Sequence, residues 1–395
     1  METTEGIGLM EPMLPPDGER KLEDLALDLA TKASGLASQL QPTVRSSIGD
    51  LVRSMNCYYS NLIEGHDTHP RDIDRALAYA DFSTDRKKRA LQFEAVAHIE
   101  VQQLIDHHVD LKAEPTSSQY ITWLHREFCK RLPDEFLWVE NPDTGERLPV
   151  IGGELRKGWV QVGQHIPPSA EALPRFLHRF TEAYDSRKLS RVRQIIALGA
   201  AHHRLLWIHP FYDGNGRVTR LMSHASLLHC GVGSSLWSVA RGLARNVQDY
   251  KKLLMAADDP RRGDLDGRGT LSTQSLTDFC AFFMTTCIDQ VEFMASLLEP
   301  SNLLRRMRLH IEEEIQTGTL PKGSFSLLRE ALLAGEVPRG KAGEITGYGE
   351  RMARNVVSDL IKKGYLKSNR SRAPLTLAFP IDAVERWFPR LYPGV

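Results

Sequence analysis

Along most of this chain apolar residues recur at three- and four-residue intervals, the period of helices that bury one face. Leu25, Leu27, Leu29 and Ala30 open one such segment, and Ile48, Leu51, Val52 and Met55 continue a second. The run 86–111 predicts a long helix, and 121–132 another. Between 133 and 170 the period fails. Pro142, Gly145, Pro149, Gly152, Gly153, Gly158, Gly163, Pro167 and Pro168 interrupt it, and Trp159–Val162 between them reads as a short β-type run. A small hairpin flanked by loops is expected there. Helix returns over 169–185, 188–207 and 274–297, with a loop at 257–270. From about residue 320 the order is helix, turn, helix and two short strands, a winged-helix pattern. Gly347 and Gly349 are placed to shape its turn. The expected architecture is mainly α in three parts: an N-terminal helical segment 1–85, a core 86–300 and a C-terminal module 301–395.

Charge narrows the functional classes. Lys+Arg and Asp+Glu are both 50 in 395 residues, so the formal net charge is zero. A chain-wide basic field for nucleic acid and an acidic solvating tail are both excluded. The first twenty residues lack a basic start followed by an apolar run, do not read as a signal peptide, and are expected to fray. The uncharged stretch between Arg220 and Arg241 is long enough to suggest a membrane span. Its serines, glycines and two histidines make buried helix plus loop the better reading. Five scattered cysteines without metal-like spacing point to reduced thiols in a cytoplasm, and no membrane partner is expected.

The chemistry concentrates in His209-Pro210-Phe211-Tyr212-Asp213-Gly214-Asn215-Gly216-Arg217-Val218-Thr219-Arg220. Pro210 ends the helix before it. Gly214, Asn215 and Gly216 let backbone N–H groups converge, and a helix starting near Arg217 directs its positive dipole end at the same place. Arg217 and Arg220, three apart, reach that end together. Two guanidinium groups above an amide nest form a polyphosphate cradle. Asp213 beside it is a natural Mg²⁺ ligand, since Mg²⁺ takes one or two carboxylates plus phosphate oxygens. His209 is the general-base candidate.

The string resembles the Fic-domain signature at every constrained position. The resemblance extends from about residue 50 to 300. It includes Gly153-Glu154-Leu155-Arg156, the Trp159–Val162 run, His165-Ile166-Pro167-Pro168, His202 and Tyr250; at Leu206 relatives often carry Glu. It implies a Fic-type helical core with a β-hairpin flap. The implied activity is transfer of AMP from ATP to a protein Ser, Thr or Tyr hydroxyl, with pyrophosphate released. By motif position His209 would deprotonate the target, Asp213 would hold Mg²⁺, and Gly214, Asn215 and Gly216 would cradle phosphates. Arg217 would meet the β-phosphate region and Arg220 the γ-phosphate. Tyr250 would line the base pocket or pack in the core, and the 156–163 hairpin would align a target segment by strand addition.

Ser60-Asn61-Leu62-Ile63-Glu64-Gly65 resembles the inhibitory motif of Fic proteins whose brake lies N-terminal to the core, the class II arrangement. Ser60 and Glu64 share a helix face and Gly65 suits a C-cap. The expectation is that Glu64 pairs with Arg220 and misaligns ATP, while Ser60 helps fix the helix. Some relatives remove AMP with the same site, so the direction stays open. Self-modification and a homodimer are also open.

Segment 320–372 carries eleven basic and five acidic residues, a local net of +6. Arg351, Met352, Arg354, Asn355, Ser358 and Asp359 fall on its second helix, so a DNA-binding regulator is the alternative from another class. Asp264 and Asp266 begin a calcium-like loop, but Arg268 and Ser275 break the ligand set. His202, His203 and His209 could suggest zinc, but Pro210 interrupts their helix; His203 is assigned to packing and His202 to support. His107-His108 is read as a favourable helix end.

Overall fold

The structure, a computed structural model, describes residues 6–66, 70–107, 113–141, 144–368, 370 and 372–392. Helices α1 (Arg20–Ser38), α2 (Pro42–Ile63), α3 (Pro70–Tyr79), α4 (Arg86–Asp106) and α5 (Ser118–Cys129) come first. Strands β1 (Trp138–Glu140) and β2 (Arg147–Pro149) follow as an antiparallel pair in which Val139 faces Leu148. Then come α6 (Leu173–Ala183), α7 (Arg191–Ile208), α8 (Asn215–His229), α9 (Val239–Arg245), α10 (Val247–Ala256) and α11 (Thr273–Leu298). The last elements are α12 (Pro300–Gln316), α13 (Ser324–Ala334), α14 (Ala342–Thr346), α15 (Glu350–Lys362), β3 (Leu366–Lys367), β4 (Thr376–Leu377) and α16 (Ile381–Trp387).

Two compact units result. The first takes residues up to Ala33, Asn56–Ser234 and Ser238–Gln290; the second takes Ser34–Met55, Ser235–Trp237 and the chain from Val291. Unit boundaries fall inside α1, α2 and α11.

In the first unit α7 is the central helix, buried almost continuously from Ile195 to Ile208, and it packs against α6 and α8. Local capping sets the starts of its neighbours. Ser190 accepts from the Arg193 N–H ahead of α7, Asp85 from Lys88 ahead of α4, and Ser117 from Tyr120 ahead of α5. His107 closes α4 as its C-cap; His108 lies outside the described residues. The apolar stripe of α1 in this unit is Leu22, Ala26, Leu29 and Ala33, so Leu29 faces inward as expected while Leu27 is exposed. The uncharged stretch after Arg220 is buried helix to His229 and then loop, as its polarity implied. Helix α11 is long and apolar enough by composition to cross a membrane. Its Phe279, Cys280, Phe283, Met284 and Cys287 are fully buried in the fold.

The expected fraying of the N-terminus is corrected for residues 6–18. Met10 and Met13 are buried, and the strap's carbonyls have strong donors. Arg204, fully buried, donates twice to the Pro12 carbonyl at 2.8 and 3.2 Å. Tyr184 donates to Met13 O at 2.6 Å, and Arg179 pairs with Glu11 at 2.5 Å. An extended segment with satisfied carbonyls and two buried methionines has no reason to leave.

In the second unit α15 buries Ala353, Val356, Val357 and Leu360, and exposes Arg351, Met352, Arg354, Asn355, Ser358 and Asp359. Gly347 closes α14 at φ 73°, whereas Gly349 is extended at φ −61°, so Gly347 alone needs glycine's freedom. Leu366 pairs with Leu377, and Val337 bridges Leu375 beside them. Trp387, fully buried, donates to His310 at 3.0 Å. The five cysteines are all free.

Candidate active site

The signature loop begins where Pro210 stops α7. His209 takes a left-handed backbone, φ 49° and ψ 62°, which is uncommon outside glycine and needs outside support. Arg156 provides it. Its buried Nε donates to the His209 carbonyl at 2.8 Å, and its backbone N–H donates to Pro210 O at 2.9 Å. Its other nitrogens reach Gly158 O and Pro168 O, so one side chain ties the loop to the segment before α6.

Beyond His209, Asn215 closes the loop on itself. Its Nδ2 donates to Phe211 O at 2.8 Å, and its Oδ1 accepts the Phe211 N–H at 3.0 Å. Both ends of the Asn215 side chain are thus engaged, which leaves its backbone N–H for the expected phosphate contact. Gly214 at φ 79° turns the chain into α8. The first-turn N–H groups of α8 have no partner carbonyl inside the helix, and the helix dipole favours an anion there. Beneath the loop, His125 stacks on Phe211 with centroids 3.8 Å apart and accepts the Gly153 N–H at 2.9 Å.

Both signature arginines are buried and both meet a carboxylate. Arg220 Nη2 lies 2.6 Å from Glu64 Oε1, and its Nε donates to Ser60 Oγ at 2.8 Å. Glu64 stands on the turn that ends α2. There Gly65 at φ 84° lets the His66 N–H return to Asn61 O at 3.0 Å. Its carboxylate also lies against Gly216, where a Cβ would collide with Glu64 Oε1. The Glu64 carboxylate therefore lies beside the first turn of α8, where the helix dipole favours an anion. Arg217 Nη1 lies 2.6 Å from Glu94 Oε2, and its guanidinium carbon sits 5.1 Å from the Phe128 ring centre. Ser60 and Glu64 thus lie together on Arg220, the pairing that the motif resemblance implies, and Glu64 also lies against Gly216. Glu94 was not anticipated: it sits in an ordinary amphipathic helix with no local motif to single it out.

Electrostatics follow from burial and these pairs. Burial opposes ionisation of Glu64 and Glu94. Arg220 more than offsets it at Glu64, and His66 together with Arg217 does so at Glu94, so both carboxyls lie below their usual range. His209 is lowered to about 4, first by burial and then by the Arg156 and His165 charges. It is neutral at physiological pH, as a general base requires.

His202 is assigned a supporting place by its neighbours. It lies 2.8 Å from Tyr250 Oη on one ring nitrogen and 2.8 Å from Ser223 Oγ on the other, and Ser223 donates to Thr219 O. Tyr250 is accordingly buried, with its hydroxyl on His202, which is the packing alternative of its two readings. His203 bonds Leu254 O at 3.0 Å and lies 3.1 Å from Asp258.

The expected strand at Trp159–Val162 does not form. The turn closes instead through a single bridge between Val162 and His165, and the regular ladder of this region is β1–β2. With Gly158 and Gly163 interrupting it, the segment has too few consecutive residues to pair. Trp159, Val162 and Ile166 stand exposed there.

Asp213 is half exposed. Its Oδ1 accepts the Gly214 N–H at 2.6 Å and lies 3.4 Å from Arg217 Nη2. Among the described residues no three His, Cys, Asp or Glu side chains form a metal-holding cluster. A lone carboxylate of this kind fits Mg²⁺ that completes its shell with phosphate oxygens and water.

Residues 115–227, which include the 209–220 loop, match the Fic/DOC family model. Over 127 residues the chain is 32% identical to the protein adenylyltransferase Fic of Drosophila erecta and 40% identical to that of Drosophila melanogaster. That alignment covers 32% of this chain, which spans 26% of the length of those relatives. The fold is similar to a Fic family protein from Desulfovibrio desulfuricans G20, with TM-score 0.54 and 16% identity over 92% of this chain and 98% of that one. Fic-1 (aa134–508) from C. elegans gives TM-score 0.52 and 15% identity over 71% of this chain and 73% of that one.

Proposed function

We propose that the protein is an Mg²⁺-dependent protein adenylyltransferase held off by Glu64. The observation that carries the reading is the placement of the Glu64 carboxylate at the α8 N-terminus, on Arg220 and against Gly216. A carboxylate there competes with the terminal phosphate of ATP for the same cation and the same dipole. With Glu64 aside, the first-turn amides, Arg217 and Arg220 face a triphosphate. Mg²⁺ on Asp213 neutralises phosphate charge when bound. Neutral His209 takes the proton of the target hydroxyl. The hydroxyl oxygen then bonds the α-phosphorus, the bond from that phosphorus to the α–β bridging oxygen of the anhydride breaks, and pyrophosphate leaves with that oxygen. Positioning and charge neutralisation carry most of such a transfer. The exposed Trp159, Val162 and Ile166 suit an extended target segment laid beside His209.

The test incubates wild type, Glu64→Gly and His209→Ala/Glu64→Gly with labelled ATP and a cell lysate, and follows AMP on protein. Glu64→Gly is expected to label strongly, and the double variant to lose about 10²–10⁴ of that rate. No labelling by Glu64→Gly at saturating MgATP with an established target overturns the reading. The reverse reaction, in which Glu64 orients a water against AMP-protein, is separated by the same variant: removal falls while transfer rises.

The second unit we read as a winged-helix module, supported by the α13–α14–α15 order, the β3–β4 pair and the exposed Arg351, Arg354 and Lys362. Binding of duplex DNA by the full chain at low salt, lost with rising salt, is the expected gel-shift result if this face meets DNA. No shift at low salt makes it a protein-docking module. Five free cysteines support a cytoplasmic location.

A further inference from the structure

The two signature arginines differ in what surrounds their carboxylates. Glu64 follows the last turn of α2, and its side chain is 35% exposed. Glu94 lies in the middle of α4, and its side chain is 15% exposed. Arg217 is held on two sides, by the carboxylate of α4 and by the Phe128 ring of α5. Neither helix belongs to the inhibitory turn. With Nη1 on Glu94, the guanidinium turns Nη2 toward Asp213, at 3.4 Å, the side on which phosphates and their cation would lie. His66 is 3.7 Å from the same Glu94 oxygen, too long for a strong bond, so the clamp stands without it.

We propose that Glu94 is a positioning residue, which holds Arg217 on Phe128 in its phosphate-facing pose, and that this pair stays closed when Glu64 releases Arg220. The inference rests on the nucleotide reading above. A long arginine side chain is costly to order, and a clamp that orders it before ATP arrives improves binding without touching the reacting atoms. Glu94 therefore acts on affinity for the nucleotide and leaves the chemical step alone.

The test uses the full chain. In the Glu64→Gly background, Glu94→Gln is expected to raise KM for MgATP about tenfold while kcat stays within about threefold. Calorimetry with MgATP on His209→Ala/Glu64→Gly, with and without Glu94→Gln, should show the same loss of affinity. If Glu94→Gln does not fold, Phe128→Leu keeps the ion pair, removes the ring, and is expected to raise KM about threefold. An unchanged KM and Kd overturns the proposal. So does faster transfer by Glu94→Gln with Glu64 intact, which would make Glu94 a second brake. Absence of transfer by Glu64→Gly with MgATP binding retained defeats the transfer reading alone, and the calorimetric comparison then still judges Glu94.

Discussion

Arg217 and Arg220 are three residues apart on one helix, both buried, each 2.6 Å from a carboxylate, yet the two carboxylates are held in different ways. At Arg220 the partner arrives on a turn that follows a helix end, braced by Ser60, and its carboxylate lies where an anion belongs at the start of α8. At Arg217 the partner is fixed in mid-helix, and the guanidinium is backed by a ring. The number of contacts does not separate them. In the reading proposed above, what separates them is whether the carboxylate blocks the anion site or stands behind the cation. A salt bridge in front of a phosphate cradle competes with ligand, and one behind it preorganises the cradle.

The sharpest break of this contrast is removal of each arginine once the brake is gone. In Glu64→Gly, Arg217→Ala is expected to cut transfer by about 10²–10³, the scale for a lost donor at a developing charge. Glu94 is then left as a nearly buried, unpaired carboxylate, so the melting temperature should fall as well. Arg220→Ala in the same background touches only the terminal phosphate and should cost less. Equal losses would erase the distinction. Next in size is Glu64→Gly itself, expected to raise transfer about 10–100-fold, the worth of a charge-assisted hydrogen bond taken from the competing state. Initial rates at one subsaturating MgATP concentration measure it directly.

How much of this was open to reading without coordinates depends on the range of each contact. The 209–220 loop is local: Pro210, three permissive residues and a new helix are all the geometry requires. Ser60, Glu64 and Gly65 were legible through the resemblance of their motif and not through range, since Arg220 lies 156 residues beyond Glu64. Glu94 was invisible because its meaning comes from Arg217, far along the chain, and nothing in Gln92-Phe93-Glu94-Ala95 differs from any amphipathic helix. The N-terminal strap was missed for the same reason: the arginines that hold it, Arg179 and Arg204, read as ordinary helix residues until Pro12 and Glu11 are laid against them. The strand expected at Trp159–Val162 failed in the other direction. Its β-prone residues are real, but Gly158 and Gly163 leave only a single bridge.

Ser60 offers a finer cut through the brake. Its Oγ accepts from Arg220 Nε, and its carbonyl accepts from Nη2 at 3.2 Å, so only the first contact goes in Ser60→Ala. The carboxylate stays. Transfer is expected to rise about fivefold, the worth of one hydrogen bond of ordinary strength. A rise equal to that of Glu64→Gly would mean that Ser60, and not the carboxylate, is what restrains Arg220.

The smallest expected effect is that of pH, and its smallness carries the information. An imidazole at the ordinary histidine value would be mostly protonated at pH 6 and mostly neutral at pH 8, giving transfer a steep acid limb between them. Burial and the Arg156 and His165 charges hold His209 at about 4 instead, so it is neutral throughout that range. Glu64 is lowered by Arg220 and stays ionised there too, so proton uptake does not open the brake. Rates of wild type and Glu64→Gly should therefore each change less than about twofold between pH 6 and 8, and their ratio should stay constant. A limb near 6.5 in both would put His209 in open solvent, against its packing between Arg156 and the signature loop. A limb in wild type alone would instead place the titrating group at the brake, where His66, raised chiefly by the Glu94 carboxylate 3.7 Å away, is the group to replace next.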